Sequence, residues 1–160
     1  GLDCGDVCLR EPIEITDTLN CVQLFDIVSE KSPEMLEKTL IGLTDKTIIP
    51  EKQCEDGVCM ANKLTKEECK IDWTKSAQEI HNLVRGIYQC PSAYFVFNDK
   101  IIKVLETCVK TGNGQAGEFI NATKEGIEVA CGNGSLLLMR VKPEGKGEMP
   151  ARDWYNGVKK

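Results

Sequence analysis

The sequence has no long apolar run, since no stretch approaches the ~20 apolar residues that a membrane-spanning helix requires. It has no basic-then-apolar leader at its start. Its one histidine, His81, has no cysteine or carboxylate at ligand spacing, so we expect a packing or surface residue rather than a catalytic one. These absences predict a protein that is not inserted in a membrane and that works in the cytoplasm, or in an organellar matrix if its source is eukaryotic.

Cysteine, by contrast, is abundant, with nine residues in 160. An odd number cannot pair completely, and no two cysteines have the two-residue spacing of zinc knuckles and redox motifs. Cys4 and Cys8 are separated by three residues, and Cys54 and Cys59 by four. The pattern therefore predicts reduced thiols that act as small apolar residues, and no metal site.

Charge is divided unevenly along the chain. Residues 1–69 carry 7 Lys/Arg against 15 Asp/Glu, a net of −8, whereas residues 70–160 carry 13 against 10, a net of +3. The basic second half favours a polyanionic partner. The first residue is Gly1 rather than methionine and leads directly into patterned sequence, so we expect a piece of a longer polypeptide.

The first forty-five residues predict one strand followed by helix. Residues 6–15 are typical of a strand interrupted by proline. The apolar repeat from Leu19 to Val28 predicts an amphipathic helix with Asp17 or Thr18 as its N-cap.

A second helix start follows at Ser32-Pro33-Glu34, and it predicts a helix over about 33–43 that is either separate or kinked. Two packed helices are the preferred interpretation. Residues 46–70 lack sustained periodicity, which indicates a linker with a boundary near residue 70.

The second half begins with a short helix and then changes to a period of two. Ser76-Ala77-Gln78-Glu79 is a capping box that predicts a helix over about 76–87. Residues 93–97 and 101–109 predict a hairpin, because the Asn98-Asp99 pair tolerates the positive φ of a tight turn.

Three further short strands are predicted, at 117–122, 126–131 and 135–141. Five strands with tight turns favour a small barrel over an open sheet. Pro150 predicts a last helix over about 150–156, closed by Gly157.

Four segments resemble one family in their sequence and in their order along the chain. The segments are Gly1-Leu2-Asp3-Cys4-Gly5-Asp6, Lys63-Leu64-Thr65-Lys66-Glu67, Ile71-Asp72-Trp73 with Ile80-His81-Asn82-Leu83-Val84-Arg85-Gly86, and Val141-Lys142-Pro143-Glu144-Gly145-Lys146 running to Trp154-Tyr155-Asn156-Gly157. Together they resemble the methionyl-tRNA formyltransferase family over essentially the whole chain. The sequence departs from that family at Cys4, where threonine is usual, and at Tyr88-Gln89-Cys90-Pro91-Ser92-Ala93-Tyr94, which lacks the family's tryptophan.

The resemblance implies an α+β chain in three parts. Residues 1–45 would be the C-terminal remnant of a Rossmann-like, folate-dependent formyltransferase domain, and residues 46–70 a linker. Residues 71–160 would form a small OB-like open β-barrel that binds tRNA.

The activity implied is transfer of a formyl group from 10-formyltetrahydrofolate to the amino group of methionyl-initiator-tRNA, by a protein that is monomeric at full length. Asp3 would be the catalytic aspartate, and Gly1, Leu2 and Asp3 would line the folate pocket. The asparagine and histidine that act with the aspartate would lie upstream of residue 1. We therefore expect these 160 residues alone to be inactive, with exposed apolar surface on residues 1–45.

Six basic residues are candidates for RNA contact because lysine and arginine neutralise phosphates and release counterions. They are Lys63, Lys66, Arg85, Arg140, Lys142 and Lys146. Trp73, Trp154, Phe95 and Phe97 are expected to fill a core rather than stack on bases. Two alternatives to the tRNA enzyme remain: another formyltransferase-like enzyme, either a formyltetrahydrofolate hydrolase/dehydrogenase domain or a sugar-amine formyltransferase, and a stand-alone RNA-binding module.

Overall fold

A computed structural model describes residues 4–88 and 91–159 and divides the chain into two compact units. The units are Gly1–Lys63 and Leu64–Lys160, so the division falls inside the segment predicted to be a linker. The predicted folate-pocket and catalytic positions Gly1, Leu2 and Asp3 lie outside the described residues.

The first unit is built on one helix, α1, from Cys21 to Thr44. Asn20 caps its N-terminus reciprocally: the Gln23 amide donates to Asn20 Oδ1, and the Asn20 amide donates to Gln23 Oε1, each at 3.0 Å. The capping box supplies two of the partners that the first turn of a helix lacks. It explains why the helix begins here rather than at the predicted caps Asp17 or Thr18.

The prediction of two packed helices is wrong, because α1 continues through Pro33. The hydroxyl of Ser32 does not cap a new helix; it donates to the Val28 carbonyl one turn earlier, at 2.5 Å. The Ser32 side chain therefore bonds back to the preceding turn of the same helix, whereas as an N-cap it would have marked the start of a separate helix. The strand predicted over 6–15 is also wrong, since only Val7 pairs there, in a two-bond bridge with Glu51.

Large apolar side chains of α1 are exposed along much of its length. Phe25 is 70% exposed, and Leu36, Leu40 and Ile41 are between 57% and 60% exposed. Only Gly42 is buried among the helix residues. The expectation of exposed apolar surface on residues 1–45 is confirmed for the described part of that range, residues 4–45.

The second unit contains an antiparallel sheet with the strands β1 Tyr94–Phe97, β2 Lys100–Lys110, β3 Phe119–Ala122, β4 Ile127–Ala130, β5 Ser135–Pro143 and β6 Met149–Pro150. Their order is β1-β2-β5-β4-β3, and β6 pairs with the same edge of β5 as β4 does, beyond the end of β4. The five predicted strands are confirmed with slightly different bounds, and β6 is an addition. The β1–β2 turn has positive φ at both Asn98 and Asp99, as predicted.

The sheet curls until its two edges approach each other. Phe97 of edge strand β1 and Phe119 of edge strand β3 have ring centroids 5.4 Å apart, edge to face. A register shift within β2, opposite Arg140, supplies the kind of irregularity that bends a strand. The chain is therefore mixed α and β with a curled antiparallel half-barrel.

Two helices close the half-barrel. Helix α2, Ala77–Gly86, has the predicted capping box at Ser76 and Glu79, and it buries Ile80 and Val84 against the core. Helix α3, Ala151–Val158, inserts Trp154 beside the rings of Phe95 and Phe97. The aromatic residues of this region fill the core, as expected, and α3 runs through Gly157 rather than ending before it.

Candidate nucleic-acid interface

The first element of the candidate site is a turn over residues 65–69. The Thr65 amide donates to Glu68 Oε2 at 2.7 Å, and the Glu68 amide donates to Thr65 Oγ1 at 3.3 Å. Hydrogen bonds to the carboxylate from the backbone and side chain of Thr65 hold the pKa of Glu68 below its usual value. The reciprocal bonds fix a tight turn that carries Lys66.

This turn is attached to the edge of the sheet. The Tyr94 amide donates to the Cys69 carbonyl at 3.0 Å, and the Ile71 amide donates to the Tyr94 carbonyl at 2.7 Å. The short parallel pairing of Lys70 with Tyr94 extends the sheet by one bridge. The backbone of β1 therefore holds Lys66 in a fixed place relative to the strands.

The second element is the turn that follows β5. The Lys146 amide donates to the Pro143 carbonyl at 3.0 Å, and Gly145 has φ +72°. A positive φ at the third position is the requirement of a type II turn, which glycine meets without steric cost. Lys142 and Lys146 consequently lie on the two sides of one tight turn.

The third element is a pair of lysines that face each other across the sheet. Lys103 of β2 is directly opposite Lys142 of β5, and it is also opposite Tyr94 of β1. Both lysines are exposed, whereas their strand neighbours Val104 and Val141 are buried. Like charges directly opposite each other destabilise a sheet. Repulsion between the two ammonium groups therefore lowers the stability of the sheet, and an anionic ligand would relieve that repulsion.

These elements surround a groove of about 380 Å³, called here the lysine groove. Four lysines line it: Lys66, Lys103, Lys142 and Lys146. Glu144 is the single acidic residue among its described lining residues, and its carboxylate accepts from the Ile101 amide at 3.2 Å. None of the four lysines forms an ion pair with any residue that the structure describes.

Three of the six predicted RNA contacts, Lys66, Lys142 and Lys146, are thus brought together, and three are not. Lys63 ends the first unit and is exposed. Arg85 is half-buried on α2, where its Nε donates to Asn82 Oδ1 at 2.9 Å. Arg140 is paired with Glu148 at 3.6 Å, which offsets its charge locally.

Lys103 is the site residue that sequence reasoning missed. Its position between the apolar residues Ile102 and Val104 of a predicted strand could have indicated an outward side chain. The cross-strand register that puts it opposite Lys142 could not be obtained without the structure.

The described residues contain no group of three or more potential metal ligands. Burial raises the pKa of the Cys131 thiol to about 11, so this cysteine stays protonated near neutral pH. His81 joins α2 to β2, with Nδ1 2.8 Å from the hydroxyl oxygen of Thr107.

In the part of the chain that is described, no helix combines the length and apolarity needed to cross a bilayer.

Solved structures share this fold at low sequence identity. HypX from Aquifex aeolicus in complex with tetrahydrofolic acid matches with a TM-score of 0.73 at 16% identity, over 99% of this chain and 28% of that one. An N-formyltransferase from Helicobacter canadensis, in complex with folinic acid and dTDP-3-aminofucose, matches with a TM-score of 0.62 at 16% identity, over 86% of this chain and 51% of that one.

Curated proteins named methionyl-tRNA formyltransferase are more similar in sequence. The protein of Citrifermentans bemidjiense is 39% identical over 99% of this chain and 50% of its own length. That of Clostridium perfringens strain 13 is 39% identical over 98% of this chain and 52% of its own length. The chain spans about half the length of these relatives. Residues 63–159 match the family described as formyl transferase, C-terminal domain, and the chain therefore belongs to that family.

Proposed function

We propose that this chain is the C-terminal portion of an enzyme that transfers a formyl group from 10-formyltetrahydrofolate to methionyl-initiator-tRNA. The observation that carries the proposal is 39% identity to proteins named methionyl-tRNA formyltransferase across both units of the chain. The match thus extends beyond the domain at 63–159 into residues 1–62, where a formyltransferase domain of Rossmann-like fold would end. The second unit is, on this proposal, an OB-like tRNA-binding domain at residues 71–160.

Formyl transfer to an amine requires a presented carbonyl carbon, donors for the tetrahedral oxyanion and a group that relays the proton leaving the nitrogen. Asp3 has the proton-relay role, in which it orients either a histidine supplied by the rest of the protein or a water. Gly1 and Leu2 contribute to the folate pocket beside it. The exposed apolar face of α1 supports this arrangement, because such a face is typical of a surface that another part of a protein covers.

The lysine groove supports the tRNA part of the proposal. Four unpaired cations beside a single carboxylate favour a polyanion over a neutral acceptor. Lys66, Lys142 and Lys146 contact the phosphate backbone there, and Lys63, Arg85 and Arg140 remain proposed RNA contacts outside the groove. Water would leave such a cluster without a ligand, and an amino-sugar nucleotide brings only a diphosphate to four lysines, so those alternatives have less support. A stand-alone RNA-binding module would not require the likeness over residues 1–62.

The variant Asp3→Asn in the full-length protein tests the catalytic proposal. It should lower formylation of methionyl-tRNA about 10²–10⁴-fold, the usual contribution of a general acid–base group. Binding of tRNA, measured by filter retention, should stay unchanged because the lysine groove is intact. Wild-type formylation by the Asn variant would contradict the role of Asp3.

A further inference from the structure

The lysine groove has two kinds of surface. It is lined both by the four lysines and by apolar groups of Tyr94, Ile101, Pro91 and Pro143. Tyr94 and Ile101 are only half-buried, so part of each side chain is available to a ligand. A ligand that satisfies the whole groove therefore combines negative charge with a flat or apolar group.

A paired RNA helix has the wrong shape for this groove. Its bases are stacked inside, and it offers a protein mainly phosphates and 2′-hydroxyls. Against such a surface the lysines would find partners, but the apolar wall would face empty space or water. An unpaired nucleotide can turn its base outward onto a side-chain ring and leave its phosphates at either side.

The size of the groove also suits a single nucleotide. About 380 Å³ lies at the lower end of the range of small-ligand sites, roughly 300–1,000 Å³. The opposed pair Lys103 and Lys142 is positioned to share one phosphate, since residues directly opposite on an antiparallel ladder have Cβ atoms about 5 Å apart. Lys66 and Lys146 lie on separate turns that bound the same groove.

We propose that the lysine groove holds one unpaired nucleotide of the tRNA, with the base against Tyr94 and Ile101 and a flanking phosphate between Lys103 and Lys142. This inference rests on the proposed function, and it names the feature of the RNA that the second unit selects. It also makes Lys103 an RNA-binding residue.

The test measures anisotropy of labelled RNA with the full 160-residue chain. The probes are a ten-nucleotide strand that cannot pair, a blunt duplex of ten base pairs, and the same single strand with abasic riboses in place of its nucleotides. We expect the single strand to bind about fivefold or more tightly than the duplex, the lower limit for one stacked base. The abasic strand should lose that advantage. Because only the RNA is altered in this comparison, the result does not depend on how a protein variant folds.

Two variants and a matched control complete the experiment. Ile101→Ala should weaken binding of the single strand and leave binding of the duplex unchanged. Lys103→Ala should make the fall of log affinity with log salt shallower by about 0.7, the value for one phosphate of a single strand. The control Lys124→Ala, an exposed lysine in the β3–β4 turn outside the groove, should change neither quantity.

The inference is overturned if the duplex binds as tightly as the single strand, if abasic sites make no difference, or if neither RNA binds. The proposed function is judged separately. Should the full-length protein formylate methionyl-tRNA while the chain shows no preference for unpaired RNA, only the present inference fails.

Discussion

At the scale of single residues, Lys103 and Lys142 repel each other across the sheet. The pair that is proposed to bind RNA therefore lowers the stability of the fold. Lys103→Glu replaces a repulsive cross-strand pair with an attractive one, and such pairs contribute roughly 0.2–1 kcal/mol. We expect the variant to resist urea slightly better than the wild type and yet to bind tRNA more weakly.

Equilibrium unfolding and a tRNA-binding titration of the same preparation test this prediction. Lys124→Glu serves as the control, because it reverses an equally exposed charge outside the groove. A variant that loses both stability and binding would mean that Lys103 acts through the fold rather than through the RNA.

At the scale of secondary-structure elements, the capping box of α2 makes a clear prediction. Ser76→Ala removes the acceptor for the Glu79 amide and the hydroxyl that donates to Glu79 Oε2 at 2.6 Å. N-cap replacements of this kind cost about 1 kcal/mol. Guanidinium denaturation should show this loss, because α2 covers the core at Ile80 and Val84.

The same capping box gives a pH dependence. Hydrogen bonds from Ser76 hold the pKa of the Glu79 carboxyl below its usual value of 4.5. A carboxyl with a lowered folded-state pKa stabilises the fold above its unfolded-state pKa, and that contribution is lost as the pH falls through the folded-state value. Ser76→Ala should therefore flatten the stability profile between neutral pH and the acid side of 4.5, and an unchanged profile would contradict the assignment.

Close packing of the β4–β5 turn against the segment before α2 makes a further prediction. A Cβ at Gly132 would lie 1.8 Å from the Thr74 carbonyl oxygen, whereas a Cβ at Gly157 of α3 would meet nothing within 4 Å. Gly132→Ala should cost at least about 2 kcal/mol, since the backbone has to move. The matched Gly157→Ala should be neutral or stabilise by about 0.5–1 kcal/mol, because it replaces glycine in a helix. Thermal melts of both variants test this prediction. Equal melting temperatures would contradict the close approach of Gly132 to the Thr74 carbonyl oxygen.

Local sequence signals predicted some elements well and others poorly. The Asn98-Asp99 turn and the Ser76 cap were predictable because each depends on the chemistry of two or four adjacent residues. The path of α1 through Pro33 was not, since Ser32-Pro33 is compatible with both a helix start and a helix interior. Three of the four groove lysines were predictable, because the motifs at 63–67 and 141–146 indicated Lys66, Lys142 and Lys146. Lys103 joins them only through strand register.

At the scale of the whole molecule, the two units differ in how completely they bury their apolar residues. The second unit has a continuous core from Cys69 to Trp154, with many side chains under 5% exposed. In the first unit, α1 leaves Phe25 and Leu40 more than half exposed. The contrast supports the proposal that another part of the enzyme covers the apolar face of α1.

The acidic first half and the basic second half fit the same division of roles. Residues 1–69 carry a net of −8 and contribute one lysine of the groove, Lys66, whereas residues 70–160 carry a net of +3 and contribute the other three. Catalysis near Asp3 and RNA binding near Lys142 would thus be separate tasks within one enzyme. The 160-residue chain alone should bind tRNA in a salt-sensitive way and transfer no formyl group.

The most direct test compares acceptors for the full-length protein. The purified enzyme receives 10-formyltetrahydrofolate together with methionyl-initiator-tRNA, an amino-sugar nucleotide or water alone, and labelled formyl groups are traced. We predict rapid appearance of formylmethionyl-tRNA and negligible formylation or release of formate with the other acceptors. Equal or faster transfer to the amino sugar or to water would contradict the account.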